Sequence, residues 1–375
     1  MKKKILIMAM IVILLLTTGC WDMVEINQRL FPYSIGVDLN EDGGEKYVVT
    51  VSYLNINAIG KNATQKERVF IVSTISSSIF EGIKQLSTRI PYPFHFKHLR
   101  VIVLGENLAK DGHSVRQILD GLSRDFTMNK KMQILVSEGK AQEIFQTIPK
   151  SVRQEEIEGT LFSMLKDNKI ASRFTPESLT DFIEGTDKDR IGIVPRAVVN
   201  KEDIRIFGGA IFKNYSFIGY IGEIENRAMA LMKGMLKAEL IDAPYKDATI
   251  SYAVTGQNLK RKLTNDNGKL MMKLDIEIEG TLEEYIIEDN PTKDDGNVLE
   301  GMEKSINLVL KKELLDTLDI LQKKYKADAI GVGEYISKFH PKIWKEVSKD
   351  WDEVFSEMDI QVTVKSKIRR RGLIR

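Results

Sequence analysis

The sequence predicts a multi-domain α+β fold in which mixed and antiparallel sheets are flanked by helices. Two hairpin patterns, at residues 31–55 and 205–221, require antiparallel pairing, and strand-like and helix-like segments alternate through the first half of the chain. The 375 residues are 43% hydrophobic and 29% charged, which supplies two or three compact cores under a soluble surface. Cys20 is the one cysteine, so no disulfide can form within the chain and packing must hold the cores.

The N-terminus reads MKKKILIMAMIVILLLTTGC. Lys2, Lys3 and Lys4 form a basic head, residues 5–16 an uncharged apolar run, and Thr17, Thr18 and Gly19 a small-residue site. This is the layout of a secretory signal, and the apolar run falls short of the ~20 residues that a spanning helix needs. A cysteine directly after the small residues is similar to the lipobox of bacterial lipoproteins, with Thr17 where Leu is usual and Leu16 one place further out. Residues 1–19 are therefore expected to be cleaved as a lipoprotein signal peptide. Cys20 is expected to carry a diacylglycerol anchor on the outer face of the cytoplasmic membrane. Two acyl chains anchor stably where one is marginal. Trp21, Asp22 and Glu25 follow as membrane-proximal residues; the Trp21 indole suits either the headgroup level or the folded body. Without the signal the chain holds 52 basic and 53 acidic residues, which lacks the basic excess of a nucleic-acid binder.

The elements follow in order. The first hairpin turns at Asn40-Glu41-Asp42-Gly43-Gly44, between an apolar run and the β-rich Tyr-Val-Val-Thr-Val. Residues 60–68 are polar and read as a loop. Ile75, Ile79, Ile83, Leu86 and Ile90 recur at helical spacing, and Pro91 and Pro93 end that helix. Strands are expected at 99–104 and 131–136, and helices within 107–124 and at 140–147, 153–167 and 176–184. The polar stretch 185–205 reads as the boundary between an N-terminal α+β domain, 20–195, and a C-terminal α+β region, 200–375. The second hairpin turns at Asn214-Tyr215-Ser216. A helix at 223–240, strands at 248–254 and 269–279, and an acidic loop at 288–297 come next; a split into two subdomains near 280–298 stays open. The longest helix, 299–325, carries a broad apolar stripe through Ile306, Leu310, Leu314, Leu318 and Leu321. Helices at 334–338 and 341–356 and a strand at 358–368 close the chain.

No constellation for catalysis or metal binding emerges. Asp38-Leu39-Asn40-Glu41-Asp42-Gly43 matches the opening of an EF-hand loop, but Val49 stands where the bidentate acid belongs. His95 and His98, placed on a strand, would point to opposite faces. Gly331-Val332-Gly333 follows a helix rather than a strand and reads as a turn; no nucleophile elbow or Walker loop is present. Acid pairs such as Glu155-Glu156 fit a solvated surface. No metal, cofactor or catalytic residue is expected. The basic run from Lys365 to Arg371 suits an anionic lipid, an acidic partner or a solvated strand end.

Cys20-Trp21-Asp22 with Glu25-Ile26-Asn27 resembles the mature N-terminus of the Ger(x)C spore germination lipoproteins. Ile35-Gly36-Val37-Asp38, Phe96-Lys97-His98-Leu99-Arg100 with Gly105-Glu106, and Gly208-Gly209-Ala210-Ile211-Phe212-Lys213 with Ile218-Gly219-Tyr220 are similar to the family's pattern in its order. So are Asp328-Ala329-Ile330-Gly331-Val332-Gly333, Pro341 to Trp344, and Trp351. The resemblance implies a non-enzymatic C subunit of a nutrient germinant receptor in the spore inner membrane, beside two integral-membrane subunits that together trigger germination. It implies no catalytic residues, and it leaves open whether this subunit touches nutrient. Two alternatives come from other classes. An extracytoplasmic solute-binding lipoprotein would show two parallel-sheet lobes around a cleft, and a hydrolase would show convergent acids in one.

Overall fold

The computed structural model describes residue 3 and residues 28–54, 69–147, 157–166, 173–201, 203–236, 238–266, 269–284 and 295–371. The first half is built from β1 (Phe31–Leu39), β2 (Tyr47–Leu54), β3 (Val69–Ser76), β4 (Val101–Gly105), β5 (Gln133–Ser137), β6 (Ile191–Val199), β7 (Ile204–Lys213) and β8 (Ser216–Ile221). They form one sheet in the order β3-β2-β1-β4-β5-β6-β7-β8. Its centre, β1-β4-β5-β6, is parallel, and antiparallel strands extend it on both sides. Every residue of β4 is buried, as a parallel strand covered on both faces requires.

Helices cover the two faces. α1 (Ile79–Ser87) follows β3, and α2 (Glu106–Lys110) and α3 (Gly112–Arg124) connect β4 to β5. α4 (Ala141–Gln146), α5 (Ile157–Lys166) and α6 (Leu179–Asp189) lie between β5 and β6. Local sequence starts several of them. Ser78 Oγ accepts from Glu81 N before α1, Asp111 Oδ1 from Ser114 N in α3, and Ser178 Oγ from Asp181 N before α6. One face packs through Leu104, Leu119 and Phe182, the other through Val103, Leu135 and Ile144.

The second sheet has the order β12-β11-β10-β9, from β9 (Glu239–Tyr245), β10 (Ala248–Asp266), β11 (Lys269–Glu284) and β12 (Asp359–Arg371). α7 (Glu223–Lys233) leads into it. β11 and β12 are parallel and are joined through α8 (Asp295–Asp319), a π-turn at Ile320–Tyr325, α9 (Val332–Phe339), α10 (Pro341–Val347) and α11 (Trp351–Glu357). α8 buries Ile306, Leu310, Leu314 and Leu318, the stripe seen in the sequence. Its polar flank serves the edge strand: Ser366 N donates to Asn307 Oδ1 at 2.7 Å, and Ile368 N to Glu303 Oε1 at 2.9 Å. Two N–H groups of an outer strand are thus satisfied by side chains.

The fold is the expected multi-domain α+β arrangement, and both hairpins form, but several elements differ from the sequence reading. The helix expected from residue 75 starts at Ile79, because β3 occupies Val69–Ser76. The helix expected over 223–240 stops at Lys233, where Gly234 takes a left-handed φ of 75°, and β9 follows. The polar boundary at 195–200 lies inside the first sheet, since β6 and β7 pair antiparallel across it. Asn200 N donates to Asp203 O there, making the polar residues a hairpin turn. The second sheet begins only with β9. His95 and His98 sit at a 3-10 turn, Phe96–His98, rather than on a strand; their ring centroids are 6.2 Å apart and both rings meet Phe31 edge-on.

Candidate functional site

Cys20, Trp21, Asp22 and Glu25, the residues singled out for lipidation and membrane proximity, lie outside the described residues, as does the signal peptide apart from Lys3. The described body starts at Gln28, and the chain joins the sheet at the N-terminal end of β1.

Two motif acids within the body, Asp38 and Asp328, are committed to backbone. Asp38, at the end of β1, is buried, and its Oδ1 accepts from Ala141 N at 2.7 Å and its Oδ2 from Gln142 N at 3.0 Å, which fixes the start of α4. Burial raises its pKa, while the two backbone donors pull the other way. Asp328 does the same for α9: Oδ1 accepts from Val332 N at 3.0 Å and Oδ2 from Gly333 N at 2.6 Å and Trp351 Nε1 at 3.2 Å. Burial pushes this carboxyl up against those donors. The EF-hand-like start at Asp38 therefore ends in a helix cap. No group of three His, Cys, Asp or Glu able to hold a metal occurs among the described residues.

The two halves meet through residues that the sequence marked only in part. Ile211 and Ile221 of the first sheet belong to the core of the second half. Tyr325 Oη donates to Tyr220 O at 2.7 Å, and its ring lies over Gly219, where an added Cβ would stand 2.4 Å from Cε1. Lys213 Nζ donates to Lys326 O at 3.0 Å and pairs with Asp352 at 2.8 Å; Lys188 pairs with Glu334 at 2.7 Å. Lys233, at the end of α7, stands in the field of Glu177, Asp328, Asp189 and Glu334. Glu177 is half-buried between the halves, and desolvation pushes its carboxyl up to about 7 against the pull of Lys233. Arg261 Nη2 donates to Met232 O at 3.0 Å, which ties β10 to the end of α7. The junction is thus an apolar seam with an ionic rim. A charge distributed over separate elements is invisible to local spacing; the family pattern marked the place through Ile211, Lys213, Gly219, Tyr220 and Asp328.

Two family models match the chain. The spore germination protein N-terminal domain matches residues 22–198, and the spore germination B3/GerAC-like C-terminal domain matches residues 207–372. The chain is 24% identical over 370 residues to spore germination protein B3 of Bacillus subtilis (strain 168), covering 97% of each chain. It is 25% identical over 406 residues to spore germination protein KC of the same organism, covering 99% of this chain and 97% of that one. The crystal structure of the GerBC protein aligns with a TM-score of 0.62 at 19% identity, over 90% of this chain and 97% of that one, which shows a shared fold.

Proposed function

The chain belongs to the Ger(x)C family of spore germination receptor C subunits, and from that premise we propose that it is the lipid-anchored, non-enzymatic subunit of a nutrient germinant receptor. In this reading a diacylglycerol on Cys20 holds it to the outer face of the cytoplasmic membrane, which becomes the spore inner membrane. Integral-membrane receptor subunits are its partners there. Confinement to one plane raises its effective concentration beside those partners.

The observation that carries the proposal is where the N-terminal family model begins. It opens at residue 22, two residues after Cys20, so the matched module starts where the anchor would end. The commitment of Asp38 and Asp328 to backbone N–H groups supports a non-enzymatic role, because these two motif carboxylates are spent on architecture. No helix among the described residues is long and apolar enough to cross a membrane.

Replacing Cys20 with Ala tests the anchor. The expected result is loss of the protein from the membrane fraction and failure of nutrient-triggered germination. Unchanged membrane retention with unchanged germination would overturn the proposal.

A further inference from the structure

β1, β4 and β5 run parallel, so the segments leading into them share one end of the first sheet. Those segments are residues 28–30, 94–100 and 125–132. Hydrogen bonds lock them together: His95 N donates to Leu30 O at 2.7 Å, Gln133 N to Arg100 O at 2.8 Å, and Asn129 Nδ2 to Leu99 O at 2.9 Å. At this end Phe126 is 90% exposed, the largest exposure of any large hydrophobic residue described.

The loop that presents Phe126 is held in shape. Asp125 Oδ1 accepts from Thr127 N and Oγ1, both at 2.7 Å. Lys130 Nζ donates to the carbonyls of Leu122, Ser123 and Asp125, closing the end of α3. Met128 and Met132 are buried beneath it. The same end of the sheet also carries the exposed Lys131, Lys97 and His98, and Arg124, which pairs with Asp120 at 2.9 Å. An exposed aromatic ring on a held loop, with basic side chains at the same end of the sheet, is a pattern that partitions to the interface of an anionic bilayer.

We propose that this end of the first sheet is a lipid-facing surface, with Phe126 at the headgroup level and Lys131, Lys97 and Arg124 against anionic phosphates. The proposal rests on the anchor reading for its geometry. Eight residue-to-residue steps separate Cys20 from Gln28, a reach of at most ~28 Å even when fully extended, so an anchored chain brings this end, and not the far end of the sheet, to the membrane. The contact would orient the whole body and set which face meets the integral-membrane subunits.

The sole thiol allows a test that does not depend on lipidation in the cell. The fold is described from residue 28 and the family model opens at residue 22, so the chain from Cys20 onward keeps the folded body. It is coupled through Cys20 to maleimide-bearing lipid in vesicles of phosphatidylcholine, with or without phosphatidylglycerol. Amide exchange is then followed by mass spectrometry. Peptides covering 94–100 and 124–132 are expected to exchange about tenfold more slowly on phosphatidylglycerol vesicles than in solution. Phe126→Ser and Lys131→Glu, both at exposed positions, are expected to abolish that protection with the near-UV dichroism unchanged. Equal exchange in all three settings, with the protein still coupled, overturns the proposal. So does protection that appears only in native membranes holding the integral-membrane subunits, which would make this a protein interface. Failure of the anchor reading shows separately, as unchanged membrane retention of Cys20→Ala in cells.

Discussion

Asp328 accepts a hydrogen bond from the indole N–H of Trp351, 23 residues further along the chain, at 3.2 Å, with the same oxygen that holds Gly333 N at 2.6 Å. One carboxylate thus joins the start of α9 to the start of α11. Replacing it with Ala leaves two backbone donors and an indole donor without their acceptor. A cost of about 3 kcal/mol is expected, from lost helix capping and partly buried unsatisfied donors. Asp328→Asn keeps an acceptor and is expected to lose about half as much. Urea denaturation checks both values, and the near-UV tryptophan signal reports whether Trp351 has moved.

Asp38 and Gly105 form a second coupled pair. A Cβ at Gly105 would stand 1.9 Å from Asp38 Oδ1, so the capping carboxylate fills the space beside that glycine. Asp38→Ala is expected to cost about 2 kcal/mol through the lost cap of α4, and Gly105→Ala a comparable amount through overpacking. The double variant is expected to be more stable than the sum of the two losses implies, by about 1 kcal/mol, because removing the carboxylate makes room for the methyl group. Additive losses in a denaturation cycle would contradict the contact.

These pairs mark what local pattern could and could not show. The stripe from Ile306 to Leu318 repeats every four residues and was legible as a helix. The Asp38-to-Ala141 bond spans 103 residues, so the Asp/Gly-rich context of Asp38 suggested only a turn or a cation loop. β3 was hidden because its closing Ile75 also begins the 3- and 4-residue spacing of α1. The helix before β9 was read as running on to residue 240, into the first two residues of that strand, since its stop lies in the left-handed φ of Gly234 and not in a loss of apolar residues. The polar 200–203 segment is a hairpin turn within the first sheet, and it also falls between the two family-model matches, which end at residue 198 and begin at residue 207. The ionic rim of the junction draws on five elements, and no window of sequence contains it.

At that junction, packing should outweigh surface charge. Lys188 and Glu334 are 57% and 53% exposed, and such pairs contribute less than about 0.5 kcal/mol. Lys188→Ala is therefore expected to leave stability almost unchanged. Tyr325→Phe removes the bond to Tyr220 O and is expected to cost about 1 kcal/mol. Gly219→Ala sets a methyl group against the Tyr325 ring and is expected to cost more than either, with the two halves tending to unfold in separate steps. A large loss from Lys188→Ala with none from Gly219→Ala would reverse this ranking.

Glu177 gives the junction a pH dependence of defined sign. Its carboxyl is pushed up to about 7 from an ordinary 4.5, chiefly by desolvation, with Lys233 pulling it down and Asp181 pushing it further up. The folded chain therefore binds this proton more tightly than the unfolded chain does. Between those two values the unfolded state holds fewer protons, so this residue's contribution to stability falls as pH rises and is fully lost above the upper one. The ionised form costs on the order of 1–3 kcal/mol, the low end applying if Lys233 compensates well. Glu177→Gln removes the titration. The variant is expected to exceed the parent in urea midpoint near pH 8, and the gap is expected to close on the way down to about pH 5, where the parent's side chain is mostly protonated. If parent and variant instead keep a constant separation across that range, Glu177 titrates as a solvated surface acid and does not sit desolvated between the two halves.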